Sequence, residues 1–363
     1  MMRLLRVELR RLWARRVTRW AWLGVLLVVV LGGYSAYEMA EPPSEQEITQ
    51  GRLFYEQELE SWESDGEQMT ADCLEGAEAA GESAAAWGCD DLEPRLEHYL
   101  PPSETFVPAA EDLEMMTGMD EVPGADPAPN AAAVREIQSS VWNWWSGLGA
   151  VDDFAPLLLM LVLVVAVSFV TAEINSGSMG MWLTFEPRRQ RVYWSKAAAA
   201  AVGTLPIVVV GFALVFGASY AAFASFDAVG EMTPRLWAEV GTYTARLAAA
   251  GVFVAVVGVA LGILLRHAAA VVGGLAALLW CSMIFAYPMG ALQRWLPTTN
   301  LTAWLHEGTV FTVDRCVPDA GGVYSCTSVD HVVTTAQGGL YMAAVAAVLT
   351  FVAVIVFRYR DVN

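Results

Sequence analysis

The sequence predicts an all-α membrane protein: six transmembrane helices, an N-terminal amphipathic interfacial helix, and a mainly helical extracytoplasmic domain between the first two spans. Three observations carry that prediction. The chain is 363 residues long and 56% hydrophobic, with a mean hydropathy of +0.43, too apolar to keep a soluble surface wet. Six of its segments are apolar runs near the ~20 residues that a helix needs to cross a bilayer core while satisfying its own backbone. Its charge is also partitioned: residues 38–153 hold 28 of the 39 acidic residues against Arg52, Arg95 and Arg135, and the remainder is net positive. The acidic balance of -18 therefore describes one solvated region, and nothing in it favours nucleic acid. Lys196 is the single lysine beside 20 arginines, a bias typical of GC-rich bacterial genomes.

The runs are residues 20–37, 154–172, 197–223, 247–265, 268–287 and 340–357, and none contains Asp, Glu, Lys, Arg or His. The fourth and fifth are parted by Arg266 and His267 alone. Together they are about twice the length one crossing can use, so a tight hairpin is expected there. Basic residues in short loops resist translocation. With the N-terminus inside, residues 1–19, 173–196, 266–267 and 358–363 hold 14 of the 21 basic residues, which places both termini in the cytoplasm. The first run is long for a signal peptide and lacks a small-x-small cleavage site, so it reads as a retained span. Before it, Leu5, Leu9, Leu12 and Trp13 share one helical face, with Arg3, Arg6 and Arg10 opposite. Such a helix is expected to lie flat on the cytoplasmic leaflet.

Outside the membrane, residues 38–153 open on a helix signal. Ser44 and Glu47 form a capping box, and Ile48, Tyr55, Leu59 and Trp62 recur at helical spacing. Cys73 and Cys89 follow, while Cys316 and Cys326 sit in the second large outer segment, residues 288–339. Four of five cysteines thus lie where disulfides persist. The simplest pairing joins Cys73 to Cys89 and Cys316 to Cys326; the other two pairings stay open to the sequence. Cys281, inside the fifth run, reads as a small packing residue. The stretch from Gly118 to Ala133, with Pro123, Pro127 and Pro129, breaks any helix. Trp142, Trp144 and Trp145 then lead to the second span as interfacial anchors in preference to ligand-stacking groups. After the fifth span, Trp295, Pro297 and Trp304 suggest a re-entrant or surface-lying helix. His306, Glu307 and His331 match no recognised metal-site spacing.

Residues 173–196 are the most informative stretch. They hold Glu173 as it leaves a helix, an apolar segment with Met179, Met181, Trp182, Leu183 and Phe185, a break at Pro187, and a basic cluster of Arg188, Arg189 and Arg191 ending at Lys196. This segment cannot span and is too apolar to float free, so it is expected to lie at the interface and offer a hydrophobic knob to a cytoplasmic partner. Its order of residues resembles the loop of ABC-2 type permeases, with Glu173, Gly177, Leu183, Thr184, Pro187, Arg191 and Lys196 on matching positions and Ser178 in place of the usual Thr. The run from Phe185 to Arg189 is similar to an actinobacterial branch of that family, as is the Cys73 to Cys89 motif followed by Glu93 and Pro94. The helix with Glu8, Leu9, Arg10 and Arg11, and the terminal stretch from Phe357 to Asp361, also resemble the family. The resemblance implies an exporter-type permease subunit whose loop is a coupling helix seated on a separate cytoplasmic ABC ATPase. A dimer with a second permease copy or paralogue is implied as well, and the localisation is the bacterial cytoplasmic membrane.

Residue logic points the same way. The one lysine follows Val-Tyr-Trp-Ser with no glycine loop before it, so the chain has no Walker A motif to hold ATP. It is expected to be no enzyme and to bind no cofactor itself, with ATP and Mg held by the partner. The bland alternative for the loop is a basic connector that only fixes topology. Proton-coupled transport or intramembrane proteolysis would need ionisable residues inside the spans, and the runs have none. The rival function is an ABC-linked sensor or scaffold whose acidic outer domain binds a peptide or envelope ligand without moving it. Lipophilic or amphiphilic cargo fits the apolar spans, and the acidic outer domain would favour cationic or peptide ligands.

Overall fold

The structure is a computed structural model. It describes residues 2–41, 44–80, 83–84, 88–89, 92–95, 99, 151, 153–185, 188–226, 229, 234–284, 287–318 and 324–359. Among these, five helices are long and apolar enough to cross a membrane, so the chain is a predominantly helical, multi-pass membrane protein. By contact it divides into two compact units: Met1–Ser35 with Ala150–Ala218 and Glu231–Asn363, and Ala36–Gly149 with Ser219–Gly230.

The first unit begins with α1 (Met2–Ala14) and α2 (Arg16–Ala40), separated by a bend at Arg15. The bend is closed by Thr18, whose hydroxyl donates to the Leu12 carbonyl at 2.6 Å. Two further helices, α4 (Ala155–Asn175) and α6 (Arg189–Ala224), flank the short α5 (Ser178–Phe185). At 1.5 Å per residue the 36 residues of α6 reach about 54 Å, well beyond a ~30 Å hydrocarbon core. Its first two turns, Arg189 to Lys196, are the charged overhang. Next come α7 (Pro234–Leu265) and α8 (Ala268–Ile284), parted by a turn in which Arg266 takes a left-handed φ of 59°. The Arg266 amide donates to the Gly262 carbonyl at 3.0 Å and closes the last turn of α7. The 17 residues of α8 fall short of the length given to the other spans.

Between lipid-facing helices the hydrophobic effect supplies no driving force, so close approach over small residues does the work. Gly258 of α7 leaves room for Ala166, Leu163 and Val167 of α4, where a methyl group would already lie 3.2 to 3.4 Å away. One turn on, Gly262 faces the Val167 carbonyl. Leu163, Val167 and Val271 then form the centre where α4, α7 and α8 meet.

A 3₁₀ stretch, Tyr287–Trp295, kinks at Gly290 (φ 51°) and leads into α9 (Pro297–Leu305). The expected re-entrant or surface-lying segment is thus helical, and its seat is α10 (Thr335–Tyr359). Gly338 of α10 lies so close to α9 that an added methyl would sit 2.5 Å from the Asn300 carbonyl. Between α9 and α10 the chain forms an antiparallel hairpin of β1 (Gly308–Pro318) and β2 (Tyr324–Thr334), where the sequence had suggested only a loop. Thr312 and Ser328 each donate a hydroxyl hydrogen across the strands, to Asp330 at 3.0 Å and Asp314 at 2.6 Å. Val333 is fully buried, whereas Val310 and Val332, paired on the opposite face, are exposed. Cys316 and Cys326 stand directly across in register; their side chains lie outside the described residues.

In the second unit, α3 (Glu45–Ala80) starts immediately after Ser44, as the capping signal predicts; the Glu47 side chain lies outside the described residues. Its Tyr55, Leu59 and Trp62 form the less exposed face, and Tyr55 meets the Tyr99 ring at 5.9 Å. The disulfide Cys73–Cys89 ties the end of α3 to the returning chain. Residues 100–150, including Pro123, Trp142, Trp144 and Trp145, lie outside the described residues.

Candidate functional site

The end of α4 that carries Glu173 is the meeting point of the first unit. Glu173 is buried, and its two oxygens are shared between cations from different parts of the chain. Oε2 accepts from Lys196 Nζ of α6 at 2.6 Å, and Oε1 accepts from Arg15 at 2.8 Å. Lys196 also donates to both oxygens of Glu8 in α1, at 3.2 and 3.1 Å. The other Arg15 nitrogen donates to the Ser168 carbonyl at 3.2 Å, and Arg11 approaches Glu173 at 3.9 Å from a more exposed position. Phe169 closes the site, with the Lys196 ammonium 4.8 Å and the Arg15 guanidinium 5.1 Å from its ring centre, within the range of cation–π attraction.

Glu8 and Lys196 are both fully buried. A lone buried ion carries a desolvation penalty of several kcal/mol, which close pairing offsets. Here two carboxylates meet Lys196 and Arg15, so the core of the network neutralises itself.

This arrangement adds a protein contact to the reading of α1. Part of its apolar face is covered by the bundle: Leu9 and Leu12 pack on Gly203 of α6, each with a methyl 3.2 Å from where a β-carbon there would stand, while Trp13 stays exposed. Glu8 sits at the edge of that face, one turn before Leu12, and meets Lys196. An acidic residue at the border of an apolar stripe, and a single lysine far along the chain, were the available signals. Nothing local in the sequence joins residues 8 and 196.

Beyond Glu173 the chain reverses at Gly177, whose φ of +70° is readily adopted only by glycine. The Ser178 hydroxyl donates to the Glu173 carbonyl at 3.3 Å and starts α5. Met179 is fully buried and roots the helix, Leu183 is half-buried, and Met181 and Phe185 are 68% and 79% exposed. Thr184 is exposed and turns its hydroxyl back to the Met181 carbonyl at 2.6 Å. The Trp182 side chain and Pro187 lie outside the described residues. On the far side Arg188 opens α6, its carbonyl accepting from the Arg191 amide at 2.9 Å. Arg189 donates to the Phe357 and Arg358 carbonyls at 3.1 and 3.4 Å, capping the end of the last helix. Arg191 is exposed.

Of the residues singled out in the sequence, Glu173, Gly177, Ser178, Met179 and Arg189 thus form the anchored frame of α5, and Met181, Thr184, Phe185, Arg188 and Arg191 form its outward surface. Among the described residues no group of three His, Cys, Asp or Glu could hold a metal. His306 lies beside the Tyr243 ring, His331 stacks on Phe311, and Glu307 pairs with Arg246 at 2.9 Å. The chain matches no protein-family model, no curated protein and no solved structure.

Proposed function

We propose that this chain is the membrane-spanning permease subunit of an ABC-type exporter, driven by a separate ATPase seated on α5. One observation carries the reading. The eight residues of α5 span about 12 Å, too short to cross a bilayer. The helix nevertheless holds Met181 and Phe185 exposed between two firmly tied chain ends, Glu173 on one side and Arg189 on the other. A rigidly footed apolar knob flanked by exposed arginines suits a protein groove better than free solvent. In this reading α8 is the sixth crossing, both termini and α5 face the cytoplasm, and the membrane is the bacterial cytoplasmic membrane. Two copies, or a copy and a paralogue, serve the two grooves of an ATPase dimer. ATP-driven closure would press on α5, and the tied ends would carry the displacement to α1, α6 and α10. Amphiphilic or lipophilic cargo fits the uncharged apolar runs of the bundle, whose buried charges gather at the Glu8–Lys196–Glu173 network, and the acidic region of residues 38–153 would favour a peptide.

The experiment is purification of the full chain from native membranes in mild detergent, wild type against M181S/F185S, with ATP hydrolysis assayed on each complex. A stoichiometric ATP-hydrolysing partner that is lost from the double variant, while the variant keeps its wild-type melting temperature, is the expected result. Full retention of the partner by the variant, or no such partner on abundant folded protein, refutes the assignment.

A further inference from the structure

The arginines at the α1–α2 junction divide into two sets. Arg15 is turned inward to Glu173 and Ser168, whereas Arg16 and Arg19 are exposed. At 100° per residue, Arg16, Arg19 and Trp20 share a sector of about 120° with Leu23, Leu27, Val30 and Leu31. The opposite side of α2, with Thr18, Ala21, Val25 and Val28, is buried. Leu23, Leu27, Val30 and Leu31 are each at least 43% exposed and Trp20 is 68% exposed. The stripe continues to Tyr34, which is also exposed. From Leu23 to Tyr34 it rises about 16 Å, the depth of one leaflet of a ~30 Å hydrocarbon core.

We propose that this end of α2 is a binding site for an anionic glycerophospholipid of the adjoining leaflet. The phosphodiester sits between the guanidiniums of Arg16 and Arg19, the Trp20 ring lies at the glycerol level, and one acyl chain runs along Leu23, Leu27, Val30 and Leu31. Guanidinium forks match phosphate oxygens, and an indole with one wet edge favours the headgroup boundary. The choice of an anionic headgroup follows from charge. Glu8 is the only acidic residue before Glu38, and it is buried against Lys196. A zwitterionic headgroup would bring its ammonium towards two exposed guanidiniums. The site needs neither an ATPase nor a particular orientation of the chain, so it stands apart from the function proposed above.

The test uses the full-length protein reconstituted in nanodiscs of equal phosphatidylglycerol and phosphatidylcholine, extracted into mild detergent, with retained lipids counted by native mass spectrometry. Two arginines at a membrane surface predict a preference for phosphatidylglycerol on the order of tenfold. R16Q/R19Q should bring retention close to parity, while R6Q/R10Q, exposed arginines of α1, should keep the preference. Parity in the wild type, an undiminished preference in R16Q/R19Q, or equal loss in R6Q/R10Q overturns the proposal; the last would mean diffuse positive charge and no site. If R16Q/R19Q does not accumulate, the wild type decides alone. Its preference should fall several-fold between 0.1 and 1 M salt, and a salt-indifferent preference overturns the site.

Discussion

Lys196 is a charge that a buried position tolerates only because Glu8 and Glu173 both hold it. Removing the ammonium takes from Glu8 the cation that meets both its oxygens, while Glu173 keeps Arg15. K196M should therefore destabilise the protein by about 3–5 kcal/mol, the usual penalty for breaking a buried pair from one side. Removing both ends of the Glu8–Lys196 contact should cost less than removing one. E8L/K196M, which puts apolar volume where the pair stood, should recover a large part of the loss. Thermal unfolding in mild detergent measures both, and a double variant no more stable than K196M would show that the network is not paired as described.

At the scale of elements, α9 and α10 meet through glycine. G338A would push a methyl against the Asn300 carbonyl at 2.5 Å and the Trp304 amide at 3.0 Å, both backbone atoms that cannot rotate away. A loss of about 1–3 kcal/mol is expected from that overlap. G217A in α6, with nothing within 4 Å, should be neutral or stabilising by up to ~1 kcal/mol through helix propensity. Parallel melting curves check the contrast. Elements of this kind were legible in the sequence to the extent that their cause was local. The spans declare themselves because a crossing helix needs a continuous apolar run, and α3 declares itself through Ser44 and the recurrence of Ile48, Tyr55, Leu59 and Trp62. The hairpin was missed although β-branched residues crowd 309–313 and 327–334, since the cysteines and polar tips dominate that stretch. The face of α1 was assigned to lipid because Leu9 and Leu12 are equally suited to a bilayer or to Gly203. As for the candidate site, the apolar and basic pattern of α5 could be read directly. Its anchoring by Glu8, Arg15 and the carbonyls of α10 could not, because those partners are brought together only by the packed bundle.

At the scale of the whole molecule, the number of crossings turns on α8. Arg188 precedes α6 and Ser328 sits on the hairpin, and both are exposed. Between them lie α6, α7 and α8, so the two positions face opposite sides of the membrane only if α8 crosses. In a chain whose native cysteines are blocked, R188C and S328C should be labelled by an impermeant thiol reagent from opposite sides; labelling from the same side would remove α8 from the count. The seat of α9 on Gly338 also has a consequence for how the protein is made. Asn300 and Trp304 are translated some thirty residues before the glycine they press against. At roughly 5–20 residues per second, that segment waits seconds on the ribosome with its docking surface not yet synthesised. The hairpin is likewise complete before α10 exists. The last helix is thus the piece whose insertion lets the preceding segment settle, and a chain cut off before residue 335 would have most of its crossing helices but no seat for α9.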